Sequence, residues 1–214
     1  MKSIFFLSLI LIMPCRTSFV MANEAPTTDE LISYLEAKIP LETGMETHFS
    51  ARILDKEMEG TKQEKYKVKI LNKDLMIIEK ENSKIAKSSR DNPSFATAQT
   101  NYTEVIKLEN LSPEISLIYK LSPTVGDEAV NAIYPPHIKI KISAKPAKKW
   151  KRYNNDIEQV IAMLNETKEK ETMPFSERDS YLLLTIDEKA AKNIGKALSH
   201  LILLCQQERN KDQS

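Results

Sequence analysis

The strongest pattern of apolar and polar positions lies near the C-terminus, between residues 181 and 205. A run of apolar residues at 181–186 predicts a buried strand, and Asp187 turns the chain into a helix. Seven residues of that helix recur at spacings of three and four: Ala190, Ile194, Ala197, Leu198, Leu201, Ile202 and Cys205. Such a stripe occupies one helix face and has to be buried, so we expect the helix to close the fold.

The ends and the middle of this helix carry further patterns. Thr185 stands three residues before Glu188, which predicts a capping box at the N-terminus. After Cys205 the chain is polar, so the helix is predicted to end there. Gly195 costs about 1 kcal/mol relative to alanine inside a helix. We therefore expect Gly195 to permit close approach to a neighbouring backbone.

Upstream of this helix, alternating patterns predict a succession of short strands. Residues 66–71 place Tyr66, Val68 and Ile70 on one face, and residues 137–144 place three isoleucines opposite lysines. A helix is predicted at 30–38, ended by Pro40. The pattern at 156–164 fits either a short helix or a strand, and we favour the helix. The polar residues 81–100 predict a mobile loop or an excursion at the edge of the sheet. Antiparallel strands with one apolar face have to curl to bury it, which predicts an α+β half-open barrel of about seven strands with a short N-terminal helix and a C-terminal capping helix.

The first 22 residues differ from the rest and predict an export signal. Lys2 precedes an apolar run that is too short to span a bilayer, and small residues precede a cleavage point after Ala22. Cys15 raises the alternative of a lipoprotein, which Pro14 disfavours. We expect a periplasmic or secreted protein with a signal peptide at 1–22, one α+β domain at 23–207, a disordered polar tail at 208–214 and no transmembrane span in the mature chain.

Composition narrows the classes of partner and reaction. The 214 residues contain 31 Lys and Arg against 30 Asp and Glu, so no overall field attracts nucleic acid. The four glycines are scattered, which excludes a glycine-rich phosphate loop. His48, His137 and His200 lack partners at metal-ligand spacing. The sequence therefore predicts no metal, no cofactor and no enzymatic activity, and Cys205 is interpreted as a small buried apolar residue.

One basic segment, residues 139–152, stands out from this even balance of charge. It contains seven cations in fourteen residues, with Trp150 among them and no acidic residue. The candidate contacts for an anionic headgroup or glycan are Lys145, Lys148, Lys149, Trp150, Lys151 and Arg152. The alternative is a solvated strand face followed by a flexible loop. Asn101, Asn110 and Asn165 match glycosylation acceptors, and the sequence leaves open whether any of them is modified.

Two stretches resemble a group of uncharacterised exported bacterial proteins with pleckstrin-homology-like barrels. One is the pattern of Asp187, Ala190, Ala191, Ile194, Ala197, Leu198, His200, Leu201, Ile202, Leu204 and Cys205, which is similar to the closing helix of that group. The other is residues 106–119, which is similar to a turn between two strands. The group's glycines after the cysteine are replaced by Gln206 and Gln207. The resemblance implies a barrel with a closing helix and no catalytic residues.

These patterns together predict an exported, non-enzymatic binding module that recognises a protein or an envelope component. A small exported hydrolase is the least supported alternative, and two others remain open. The protein could carry an apolar ligand such as a lipid between the sheet and the closing helix, or it could bind anionic headgroups or glycans through residues 139–152.

Overall fold

The computed structural model describes residues 25–53, 56–88, 95–121, 124–125, 131–165 and 176–212. The predicted signal peptide at 1–22 lies outside these ranges. The helices are α1 (Thr28–Glu42), α2 (Ile157–Asn165) and α3 (Glu188–Asp212). The strands are β1 (Met45–Ile53), β2 (Lys56–Leu71), β3 (Leu75–Ser88), β4 (Phe95–Lys107), β5 (Ser116–Lys120), β6 (Thr124–Val125), β7 (Asn131–Tyr134), β8 (His137–Ser143), β9 (Trp150–Tyr153), β10 (Ser176–Arg178) and β11 (Ser180–Thr185).

The strands form two antiparallel sheets. The larger sheet has eight strands in the order β10-β9-β4-β3-β2-β1-β7-β6, and the smaller has three in the order β11-β8-β5. The chain passes between the sheets at Asp179, whose carbonyl accepts a hydrogen bond from Ala144 N at 2.7 Å. Within the described residues the two sheets do not close into one barrel.

The main core lies between the sheets and under two helices. Tyr66, Val68 and Ile70 of β2 alternate inward as their period of two predicts, and the three isoleucines of β8 do the same. The predicted stripe of α3 is buried, and α3 packs against α1. Leu35 and Ile39 of α1 are fully buried in the same cluster.

The opposite face of the larger sheet carries a second, smaller core. Ile77 points away from Met76 and Ile78, and it packs with Tyr153 of β9 and Val160 of α2. Glu79 lies on this face, where its Oε2 accepts a hydrogen bond from Ile157 N at 3.3 Å. A carboxylate at a helix N-terminus is favoured by the free amides there. The sheet is therefore covered on both faces in this region.

The prediction of an α+β protein with antiparallel strands and a helix near each end is confirmed. The count of about seven strands is too low, because β6, β9 and β10 were not predicted. β9 coincides with the end of the basic segment. Because the segment is rich in lysine, its sequence does not show the alternating pattern of a strand, although Trp150 and Tyr153 are buried. The short helix predicted at 156–164 is present as α2.

The mobile loop predicted at 81–100 is wrong for the described residues of that range. β3 continues to Ser88 and β4 begins at Phe95, so most of the range is a long hairpin. Backbone pairing from Leu75↔Lys107 to Lys87↔Phe95 holds the hairpin together, and its polar side chains do not prevent that pairing.

Three predicted helix boundaries also change. Pro40 lies inside the last turn of α1, where it removes one intrahelical amide donor, and the helix ends two residues later at Glu42. Asp187, not Thr185, caps α3 by accepting a hydrogen bond from Ala190 N at 3.0 Å, whereas Thr185 Oγ1 accepts from Asp187 N at 3.1 Å and donates to Glu42 O. α3 runs to Asp212, so residues 208–212 of the predicted disordered tail are helical, and Arg209 forms an ion pair with Glu109.

Candidate functional site

The outer flank of α3 borders two grooves on the protein surface. The larger has a volume of about 600 Å³ and lies between α3 and residues 113–117. We name it the α3–β5 groove. The smaller, of about 200 Å³, lies between α3 and the start of α1. Lys196 and His200 line both grooves, so the two grooves adjoin along one helix.

The floor and walls of the α3–β5 groove are mainly apolar. Pro113, Ile115 and Leu117 form one side, and Leu203 of α3 contributes to the other with 41% of its surface exposed. An exposed leucine beside a concave apolar surface is a feature of contact sites for other molecules.

Gly195 widens this groove. A Cβ atom at this position would lie 3.5 Å from Ile115 Cγ2 and 3.7 Å from Leu117 Cδ2. These are ordinary van der Waals distances to side chains, so the expected close approach to a neighbouring backbone is not what the structure shows. The absence of a side chain at Gly195 instead leaves Ile115 and Leu117 accessible from the α3 side.

The rim of the α3–β5 groove is predominantly cationic. Lys192 Nζ lies 2.6 Å from Glu188 Oε1, and this hydrogen bond raises the pKa of Lys192 and lowers the pKa of Glu188. Lys196 forms no ion pair with any described residue. Glu114 is the acidic residue that lines the groove. The rim therefore has a cation available for a carboxylate of a bound molecule.

The structure separates the six candidate anion contacts into two groups. Lys148, Lys149 and Lys151 are exposed and Lys145 is half-buried. Lys145 O accepts a hydrogen bond from Lys148 N at 3.0 Å, so the segment is a hydrogen-bonded turn, in place of the flexible loop of the alternative interpretation. Lys149 Nζ lies 3.6 Å from Glu177. An anion contact remains a prediction for these four lysines.

Trp150 and Arg152, the other two candidates, face the interior and share one carboxylate. Trp150 Nε1 donates to Glu104 Oε2, and Arg152 Nε donates to Glu104 Oε1 at 2.7 Å. Glu104 is fully buried, and its burial raises the pKa of the carboxyl despite these donors. The register of β4 and β9 places Glu104 opposite Arg152, which explains the pairing. Their hydrogen bonds position Trp150 and Arg152 inside the fold.

A second buried carboxylate lies on the same face of the sheet. Glu64 accepts hydrogen bonds from Lys62 and Lys80, with Oε–Nζ distances of 2.6 and 2.7 Å. Burial opposes ionisation of Glu64, but the two ammonium groups together outweigh it and lower the pKa of the carboxyl. Lys80 shares its counterion with Lys62, and burial, together with the nearby cations Lys62 and Arg152, lowers the pKa of Lys80 despite its contact with Glu64. Tyr66 OH is 3.3 Å from Glu64 Oε2. The contact between Glu64 and Lys80 links β2 to β3.

The residues of the α3–β5 groove were not predicted as a site from the sequence. The only available signals were Leu203, an apolar residue beside the buried stripe of α3, and Gly195 in the middle of the helix. Neither identifies a groove, because Ile115 and Leu117 approach α3 only through the tertiary fold.

Within the described residues, no group of three or more His, Cys, Asp and Glu side chains is arranged to hold a metal ion. No described helix is both long enough and apolar enough to cross a lipid bilayer. Comparison of the chain with protein-family models, curated proteins and solved structures finds no match.

Proposed function

We propose that this protein is an exported, non-enzymatic binding module that receives part of a protein partner in the α3–β5 groove. The observation that carries the proposal is the combination of an apolar groove of about 600 Å³ with an exposed Leu203 and a cationic rim at Lys192 and Lys196. A partner that offers apolar side chains and a carboxylate complements this surface.

The rest of the fold supports this proposal by supplying a rigid frame for the groove. Ile194, Leu198 and Leu201 of α3 are fully buried, so the helix that forms one wall is firmly packed. We infer that the two sheets curve around this core as a half-open barrel of the pleckstrin-homology type. Gly44 N, directly before β1 of the larger sheet, donates a hydrogen bond to Leu184 O of β11 in the smaller sheet at 2.6 Å, which supports that inference.

We favour a protein partner over a lipid carried between sheet and helix. The inner face of α3 is occupied by its own buried side chains, which pack against the sheet residues of the main core. The two grooves lie on the outer flanks of α3 instead. Native mass spectrometry of the protein purified from its host is expected to show no bound lipid.

The proposal is tested by selecting binders from a random dodecapeptide library displayed on phage and measuring their affinity by fluorescence anisotropy. We expect Leu203→Glu to weaken binding at least tenfold, because it places a carboxylate in the apolar wall of the groove.

Leu182→Glu is the matched control. Leu182 is 39% exposed, close to the 41% of Leu203, but it lies on β11 away from the groove. We expect Leu182→Glu to leave the affinity unchanged. Equal losses in the two variants, or a library that yields no binder sensitive to Leu203→Glu, would contradict the proposal.

A further inference from the structure

The strand beside the α3–β5 groove is at the edge of its sheet. β5 pairs with β8 over Ser116↔Lys141 to Lys120↔His137, and no described strand pairs with its other side. In an antiparallel pair, alternate residues direct their N–H and C=O groups to the neighbouring strand, and the residues between them direct theirs to the open side. β5 therefore presents backbone donors and acceptors next to the groove.

Among the residues that the structure describes, this edge lacks the protection that edge strands usually have. Ile118 is 37% exposed, Tyr119 41% and Leu121 80%, and Lys120 is the only charged residue of β5. Exposed edges are normally blocked by several charges, a proline or a bulge, because they otherwise pair with another chain. An apolar, unblocked edge indicates a surface on which another strand can add.

The dimensions of the groove suit an extended segment. Along α3 it runs from Lys192 to Leu203. At a rise of about 1.5 Å per helical residue this distance is roughly 16 Å. An extended chain covers the same distance in about five residues. The other side of the groove spans residues 113–117, of which Leu117 belongs to β5 and Pro113, Glu114 and Ile115 precede the strand.

The charge of the groove adds a chemical requirement. Lys196 has no ion-pair partner among the described residues and lies between the α3–β5 groove and its smaller neighbour. A bound segment with an aspartate or glutamate would supply that partner. Lys189, about two turns from Lys196 toward the N-terminus of α3, is exposed and lines neither groove.

We propose that the partner is an extended segment of another protein that adds to β5 as a fourth strand, places alternate apolar side chains in the α3–β5 groove and sets a carboxylate on Lys196. The inference depends on the proposed function and specifies the mode of recognition. Backbone hydrogen bonds to β5 hold the segment, and the groove selects its side chains. The competing occupant of the same edge is β5 of a second copy of this chain.

The test uses a peptide from the library selection, resynthesised with single N-methyl groups along its backbone. Strand addition predicts that the effect of N-methylation on affinity alternates along the peptide with a period of two residues. N-methylation at alternate positions weakens binding at least tenfold, and N-methylation at the positions between them changes it less than threefold. Hydrogen exchange measured by NMR is expected to show that the peptide protects the outward amides of β5.

Lys196→Glu is expected to weaken binding of an acidic peptide at least tenfold, and Lys189→Glu, the charge-matched control, by less than twofold. Replacement of the acidic residue of the peptide by lysine should restore affinity for Lys196→Glu.

The outcomes separate this inference from the proposed function. A peptide that loses affinity with Leu203→Glu, but shows no alternation on N-methylation and no protection of β5, overturns strand addition and leaves the groove as the binding site. A peptide whose affinity is unchanged by Leu203→Glu contradicts both the proposed function and strand addition. Concentration-dependent dimerisation, with β5 amides protected in the absence of peptide, assigns the edge to a second copy and overturns the inference.

Discussion

At the scale of single residues, burial decides the chemistry of Cys205. Its Sγ donates a hydrogen bond to Lys73 O at 3.0 Å on the buried face of α3. Burial, together with the nearby acidic groups of Glu208 and Asp74, raises the pKa of the Cys205 thiol to about 11. This placement confirms the interpretation of Cys205 as a small buried residue.

We predict that Cys205 resists alkylation in the folded protein. At pH 8 only about one thiol in a thousand is ionised when the pKa is about 11, and the thiolate is the reactive form. Peptide mass spectrometry after iodoacetamide treatment should find Cys205 unmodified in native buffer and alkylated in denaturing urea. A cysteine introduced at exposed Lys196 serves as the control and should react in both conditions. Rapid native alkylation of Cys205 would show that α3 is not packed as described.

Glu64 shows how one buried carboxylate depends on two neighbours. Its folded pKa lies below its ordinary value of 4.5, so its contribution to stability is present above pH 4.5 and is lost as the pH falls through the folded pKa. The cause is the pair of ammonium groups on Lys62 and Lys80, each within 2.7 Å of a carboxylate oxygen. Stability falls on acidification because the folded protein stabilises the ionised carboxylate of Glu64 relative to its protonated form.

We predict that Glu64→Gln lowers the free energy of unfolding by about 3 kcal/mol at pH 7, because Lys62 and Lys80 lose their shared counterion. The difference from wild type should shrink as the pH is lowered from 5 to 3. Urea unfolding followed by circular dichroism at several pH values measures both effects.

Glu177→Gln is the control for this change, since Glu177 is exposed and pairs with Lys149 at 3.6 Å. Its effect should stay within about 0.5 kcal/mol at all pH values. A difference between wild type and Glu64→Gln that is constant with pH would attribute the loss to packing rather than charge.

At the scale of secondary structure elements, α3 balances its own stability against the shape of the groove. Gly195 is buried in the helix, and a Cβ there meets only ordinary contacts. Steric crowding therefore does not explain why a glycine, with its low helix propensity, occupies this position. The glycine leaves space between α3 and residues Ile115 and Leu117.

We predict that Gly195→Ala raises the free energy of unfolding by about 1 kcal/mol, which is the difference in helix propensity. The added methyl group should also weaken binding of a groove peptide, because it narrows the groove. Denaturant unfolding and fluorescence anisotropy measure the two effects.

Gly44→Ala provides a contrasting control. Gly44 has φ +110° and its Cβ would lie 2.6 Å from Glu64 O, so this variant should be destabilised. Destabilisation by Gly195→Ala as well would mean that α3 lies closer to β5 than described.

The hairpin of β3 and β4 illustrates another limit at this scale. Its outer half contains polar and small residues, including Asn82, Gln99 and Thr100, which favour a loop when each is considered alone. Cross-strand hydrogen bonds, such as Gln99 Nε2 to Glu81 Oε1 at 3.1 Å, stabilise the strands instead. The structure of each segment is decided by pairing with the other strand, and a local sequence pattern does not contain that information.

At the scale of the whole molecule, the larger sheet separates two cores. α3 and α1 cover one face, and α2 covers the other through Val160 and its neighbours. The groove lies on the α3 side. A defect in the α2 core should therefore change stability without changing recognition.

We predict that Val160→Ala lowers the free energy of unfolding by about 2 kcal/mol, because it leaves a small cavity at a fully buried site. Peptide affinity for the α3–β5 groove should change less than twofold at a temperature where both proteins are folded. Thermal unfolding and anisotropy titrations measure the two quantities.

Leu198→Ala in the α3 core is the comparison, since Leu198 is also fully buried. It should cost about 3 kcal/mol and weaken peptide binding as well, because Leu198 holds the helix that lines the groove. Similar effects of both variants on affinity would show that the two cores are coupled through the sheet.

The sequence by itself determined the α+β class, the inward faces of β2 and β8, the short helix α2 and the buried stripe of α3. These features follow from periods of 2 and 3.6 residues, which are local properties of the chain. Only the tertiary structure decided that Trp150 and Arg152 face Glu104, that residues 81–88 and 95–100 are paired strands, and that α3 and residues 113–117 enclose a groove. Each of these depends on contacts between residues far apart in sequence, and such contacts leave no periodic trace in a single segment.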